Sequence, residues 1–141
     1  MKKLFFLLAL ATIGTLTTSY AQNAPAEPTV IVCLGDICPH YKDGKIDNIT
    51  TTRSEILANT TLSTPPPFFK VVEFSFSMLP KAKDFLGPFK VTGDKLTPEI
   101  IKLIQNMDDP QGRIFIENII VNVNGIAVKA TPLALKMALK K

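Results

Sequence analysis

Tryptophan is absent from this chain of 141 residues, histidine occurs once, and cysteine and tyrosine occur twice each. Each shortage removes a class of chemistry. Without indole there is no Trp platform on which to stack a sugar ring. With His40 as the one imidazole, the two-histidine helix of zinc peptidases cannot be assembled, and a nucleophile–base relay has a single candidate base and no Gly-x-Ser-x-Gly elbow to serve. No paired glycine-rich phosphate loop is present. The adjacent acids Asp108-Asp109 precede Pro110 and Gly112 and read as turn formers rather than a carboxylate pair. The sequence therefore predicts no catalytic residue, no cofactor site and no enzyme.

Long apolar runs are scarce too. Lys2 and Lys3 precede an apolar stretch from Leu4 to about Leu16, and Ser19-Tyr20-Ala21 places small residues where a signal peptidase reads, so cleavage is expected between Ala21 and Gln22. The competing reading, a membrane anchor, meets the difficulty that the run is shorter than the roughly 20 residues needed to span a bilayer. No cysteine follows the cleavage point, which argues against a lipoprotein. Residues 1–21 are thus read as a signal peptide, 22–28 as a disordered leader, and 29–141 as one domain, soluble once the signal is removed and large enough to hold a core. The periplasm is the expected location, with the medium as the alternative. Lys2 and Lys3 leave with the signal, so the formal charge falls from +4 to +2. The remaining basic residues are dispersed, and nothing points to nucleic acid. Lys136, Lys140 and Lys141 read as a wet strand face or a guard against edge pairing, with an acidic partner as the alternative.

What the chain has in quantity is strand pattern. From Phe68 to Leu79, Val72, Phe74, Phe76 and Met78 fall on one face and Val71, Glu73, Ser75 and Ser77 on the other, a period of two with one wet side. A short strand is expected at Pro88–Val91. Thr97-Pro98-Glu99 supplies an N-cap oxygen, a proline at the first helical position and an acid at the positive helix end, so a helix of about three turns should follow, with Ile100, Ile101, Leu103, Ile104 and Met107 as its stripe. In Arg113–Val123 the apolar positions change from even (Ile114, Ile116) to odd (Ile119, Val121, Val123), which predicts a β-bulge at Glu117-Asn118. Asn124-Gly125 fits a two-residue type I′ turn that pairs Val123 with Ile126 and Val121 with Val128. Leu133–Leu139 alternates again and is read as a last strand behind Pro132. Thr29–Cys33 is expected as the first strand. In the Thr-, Asn- and Pro-rich stretch 48–67, Ser54–Leu57 alone is expected to be ordered, as a strand or turn, and Pro65-Pro66-Pro67 to be extended polyproline.

In combination these segments resemble the C-terminal β-domains of the GldM family, periplasmic components of the Bacteroidetes gliding and type IX secretion machinery. The residues that carry the likeness are Phe69-Lys70-Val71-Val72-Glu73-Phe74-Ser75-Phe76, Val91-Thr92-Gly93-Asp94-Lys95-Leu96-Thr97, Gly112-Arg113-Ile114-Phe115-Ile116-Glu117-Asn118-Ile119, and the Asn-Gly hairpin before the last strand. More loosely, Asp43-Gly44-Lys45-Ile46 and Thr52-Arg53-Ser54-Glu55-Ile56-Leu57 are similar to the family's entry into its domain. Full-length members carry several such domains with a transmembrane helix and a helical bundle, whereas this chain offers one β-domain. The resemblance implies a non-enzymatic interaction or scaffold module, and a structural role for Glu117.

Cys33 and Cys38 are the other candidate site. An exported chain, an even cysteine count and the four-residue turn Leu34-Gly35-Asp36-Ile37 favour a Cys33–Cys38 disulfide. Two alternatives stay open: a zinc or copper site using both thiolates and His40, with no fourth ligand in view, and a redox motif at Cys38-Pro39-His40. Asn48-Ile49-Thr50 and Asn59-Thr60-Thr61 match a glycosylation pattern and are read as chance. The expected fold is mainly β, an immunoglobulin-like antiparallel β-sandwich of about seven strands with one short α-helix. The expected function is that of an envelope interaction module, in contact with a secretion-machinery or other envelope protein, with homodimerisation by edge pairing or strand exchange open to it. The alternative is a periplasmic small-ligand or metal-binding protein using the Cys33–His40 loop. A secreted cargo with a terminal sorting domain is a third reading, and it requires a further domain that this length leaves no room for.

Overall fold

A computed structural model describes residues 30–42, 45–65, 68–81, 83–107 and 111–138. The expected signal peptide with its Ala21-Gln22 cleavage point, the expected leader, Pro66-Pro67, Asp108-Asp109 and Leu139–Lys141 lie outside the described residues. In chain order the elements are β1 (Cys33–Leu34), β2 (Tyr41–Lys42), β3 (Lys45–Ile46), β4 (Ile49–Thr51), α1 (Arg53–Ala58), β5 (Leu62–Ser63), β6 (Lys70–Leu79), β7 (Leu86–Thr92), α2 (Pro98–Gln105), β8 (Arg113–Val123), β9 (Ile126–Lys129) and β10 (Leu133–Met137).

The protein is mainly β, as the alternating segments predict. A six-stranded sheet runs in the order β4-β10-β8-β6-β7, with β9 continuing the β10 side of β8. Every pair in it is antiparallel except β10 with β4. The second layer consists of the two-stranded β1–β5 ladder and the helices, and its Val32, Leu34, Ile56, Leu62, Ile100 and Ile104 join Phe74, Phe76, Ile114, Ile116, Ile119, Leu133 and Leu135 in one buried cluster. The sandwich thus closes over a single core. A second helix and a parallel strand pair go beyond the sequence expectation.

That second helix corrects the reading of Ser54–Leu57 as strand or turn. Thr52 caps α1: its hydroxyl accepts from the Glu55 N–H at 3.3 Å while the Glu55 carboxylate accepts from the Thr52 N–H at 2.7 Å, a reciprocal capping box. Ile56 then drops into the core with no exposed surface, which stabilises by about 1.5–3 kcal/mol. Arg53, from the first turn, donates to the carbonyls of Gln105 at 3.2 Å and Met107 at 2.8 Å and so fastens α1 to the end of α2. Helix α2 is capped as expected, the Ile100 N–H donating to Thr97 Oγ1 at 3.4 Å with Pro98 at the first turn. Its eight residues make about two turns rather than three.

The bulge in β8 is where the parity slip placed it. Asn118 has φ +49° and the β6–β8 register shifts there. What the sequence did not show is its mate. Val71 pairs with Val121 and Ser75 with Glu117, yet Glu73 faces Ile120, so β6 carries one extra residue at Val72 and β8 one extra at Asn118. The two bulges cancel in register and jointly change parity, so Val71 and Val121 are buried on the same face as Phe74, Phe76, Ile116 and Ile119. The placement of Val72 on the apolar face is corrected accordingly: Val71 is 2% exposed and Val72 39%. Period-two counting back from Phe74 selects Val72, and the extra residue in β6 shifts the phase so that Val71 takes the core position instead.

The Asn124-Gly125 turn has φ +53° and +87°, as a type I′ turn requires, with Val123 opposite Ile126 and Val121 opposite Val128. Leu133, Leu135 and Met137 of β10 point to the core. Because β10 lies between β8 and β4, Lys136 is on a wet face in the sheet interior and guards no edge. The strand expected at Thr29–Cys33 starts later, at Cys33, although Val30 still accepts from the Thr131 N–H at 3.0 Å. The strand expected at Pro88–Val91 is longer, Leu86–Thr92.

Candidate functional site

Two places answer to the sequence expectations: the disulfide hairpin at one end of the second layer, and the free margin of the sheet.

The hairpin is built on Gly35. The Leu34 N–H donates to the Ile37 carbonyl and the Ile37 N–H to the Leu34 carbonyl, each at 2.9 Å, which leaves Gly35-Asp36 as the turn. Gly35 has φ +56°, and a Cβ there would overlap the Asn59 side chain, so glycine is required on both conformational and steric grounds. Cys33 and Cys38 are joined, with Cα atoms 4.3 Å apart. The loop is held to the segment that leaves α1: Gly35 N–H donates to the Thr61 carbonyl at 2.8 Å and Asp36 N–H to Asn59 Oδ1 at 3.1 Å, while Asn59 Nδ2 donates back to the Glu55 carbonyl of α1 at 2.9 Å. Asn59 therefore spends its carboxamide on structure. With both sulfurs bonded to each other, the loop offers no thiolate to a metal. Among the described residues no group of three or more His, Cys, Asp and Glu side chains converges to hold an ion.

Among the described residues two carboxylates are perturbed, and both sit in the first turn of a helix. The Glu55 carboxyl is held below its usual range first by the Thr52 N–H and then by the Thr51 and Thr52 hydroxyls, with Thr51 Oγ1 donating at 2.8 Å. Glu99 is lowered by its own backbone N–H and then by the Thr97 side chain. Both are acids in a first helical turn, where the positive end of the helix favours charge. Both are engaged by the backbone and hydroxyl groups of their own helix starts. Glu117 is exposed beside the bulge residue Asn118.

The sheet ends on β4 at one margin and on β7 at the other, and β7 is the longer of the two. It pairs with β6 on one side, and among the described residues no strand lies on its other side. Its register sets Phe74 against Val91, Ser75 against Lys90 and Phe76 against Phe89. Pro88 sits within the strand, which an edge position tolerates because one side of the backbone makes no ladder bond. Phe89 is 40% exposed and Phe85, just before the strand, 51%. On the opposite face Lys90 Nζ lies 3.2 Å from Glu73 Oε2. This exposed pair adds little stability. A cleft of ≈ 290 Å3 opens where β5 meets the start of β6, with Ser63, Thr64, Phe68, Lys70 and Asp94 on its walls. No described helix is long and apolar enough to cross a membrane.

The fold and its margin together define a small β-sandwich with a usable strand edge. No protein-family model matches the chain, and no curated protein sequence matches it.

Two features of the site were not foreseen. The Thr52-x-x-Glu55 spacing signals a capping box and would have identified α1. The exposed Phe85–Phe89 strip lay in a segment whose proline and lysines masked the strand pattern.

Proposed function

We propose that this chain is an exported, non-enzymatic interaction module of the bacterial cell envelope that binds its partner through the free edge of β7. One observation carries the reading. A seven-residue strand ends the sheet with no strand on its outer side among the described residues, and Phe85 and Phe89 are exposed beside it. An extended segment of a partner can add to such an edge by main-chain hydrogen bonds, and the two rings supply apolar contact. The Cys33–Cys38 disulfide is in keeping with export to an oxidising compartment, where such bonds persist. The GldM-like order of strands, helix and hairpin supports a partner in the gliding or type IX secretion apparatus. The metal-binding alternative is not favoured, because it needs the thiolates that the disulfide consumes.

Affinity capture from the native envelope with the tagged mature chain tests this. Recovery of secretion-apparatus subunits, lost when Phe89 is replaced by Glu, is the expected outcome. Equal recovery by F89E would remove β7 from the interaction, and recovery of the chain alone would overturn the module reading.

A further inference from the structure

On the wet face of the sheet, Arg113 of β8 and Lys136 of β10 are direct cross-strand partners. Both are exposed, and among the described residues neither has an acidic partner, the one ion pair being Lys90 with Glu73. Like charges directly opposite each other on neighbouring strands destabilise a sheet. Basic residues often protect a strand edge, but β8 and β10 are both interior. The fold thus sets two like charges opposite each other where neither its core nor its edges require them. Local rules broken without structural return mark places kept for another purpose.

The surroundings specify that purpose. The row continues from Arg113 to Leu79 of β6, 39% exposed, and from Lys136 to Thr50 of β4, also exposed. Two residues along on the same face, half-buried Phe115 and Ala134 are cross-strand partners beside the cationic pair, with buried Ser77 on the far side of Phe115. An arginine fork with an ammonium and a hydroxyl at hand favours a carboxylate by charge-assisted hydrogen bonds, and the neighbouring row favours an apolar side chain.

We propose that Arg113 and Lys136 form a docking point for an acidic, partly apolar segment of a partner protein, its carboxylates over the cation pair and its apolar side chains over Phe115 and Ala134. This deepens the interaction-module reading and rests on it. A protein segment fits better than an anionic membrane, which is read by clusters of about four to eight basic residues rather than by two.

The test uses the purified mature chain with three probes: a peptide of alternating Glu and Leu, its Gln–Leu counterpart, and phosphatidylglycerol vesicles. The acidic peptide should bind the wild type, weaken about tenfold or more with R113Q/K136Q, and be unaffected by K81Q/K83Q, which removes two exposed loop lysines. The Gln–Leu peptide should not bind. K136E should abolish peptide binding while raising the unfolding midpoint, since it turns a repulsive pair into an attractive one; a purely structural role would not give that opposition. Equal binding by R113Q/K136Q, a lowered midpoint in K136E, or loss confined to vesicle binding would each overturn the proposal. The assay needs no envelope partner, so its failure is distinguishable from failure of edge capture at β7.

Discussion

Asn118 offers a test in which two rules of strand chemistry predict opposite signs. It lies within β8 and is exposed, so a β-propensity argument holds that Asn118→Val should stabilise, by up to about 1 kcal/mol. Its backbone, however, has φ +49°, where a branched side chain crowds the following carbonyl at a cost of about 1–2 kcal/mol. The chain would avoid that strain by flattening the bulge, but flattening reverses the parity of the residues beyond it. Ile119 and Val121, both with no exposed surface, would then turn toward water, a loss of about 1.5–3 kcal/mol each. Keeping the bulge under strain is the lesser cost. N118V should therefore be less stable by about 1–2 kcal/mol, lowering the thermal midpoint by roughly 4–10 °C for a domain of this size. N118G, which tolerates the same φ, should stay within about 0.5 kcal/mol of wild type. Urea melts of the three proteins decide the matter. If N118V equals or exceeds the wild type while keeping its urea dependence, the account of paired bulges is wrong.

Replacing both cysteines with alanine opens a short loop, so by loop entropy the cost should be about 2 kcal/mol in a urea melt. Thiol titration should find no reactive sulfur before reduction and two after it. A loss above about 4 kcal/mol would mean that the disulfide organises more than its own hairpin. The backbone and hydroxyl bonds at the start of α1 hold the Glu55 carboxyl below the ordinary glutamate range, so its contribution to stability is present above the unfolded value and is lost as pH falls through the folded one. E55Q should accordingly flatten the acid limb of the stability–pH profile, and an unchanged limb would remove Glu55 from the cap.

The long strands were legible because each carries a burial pattern that only one structure satisfies. Ile114, Ile116, Ile119 and Val121 announced both a strand and its bulge, and Thr97-Pro98-Glu99 announced α2. Legibility failed where the signal was degenerate or short. Val71 and Val72 are equally apolar and period-two counting back from Phe74 selects Val72, so the second bulge became visible only when the register with β8 was known. Helix α1 has one buried side chain, Ile56, and its signature lies in a capping pair rather than in periodicity. Strands β1, β4 and β5 span two or three residues each, too few to show a period, and are fixed by partners far away in sequence. The same limit governs the candidate surfaces. Lys136 was visible as a basic residue on a strand, but its pairing with Arg113 is a property of register, and the openness of β7 is a property of strand order.

Strand β8 touches β6 along one side and both β9 and β10 along the other, while β4, the earliest strand of the large sheet, has its partner in β10, the latest. Nascent chain emerging from a ribosome or a translocation pore therefore cannot finish this sheet until its last segment is free. Such distant pairing slows folding. On the export route proposed above, that delay would keep the chain pliable until its last segment is free to pair.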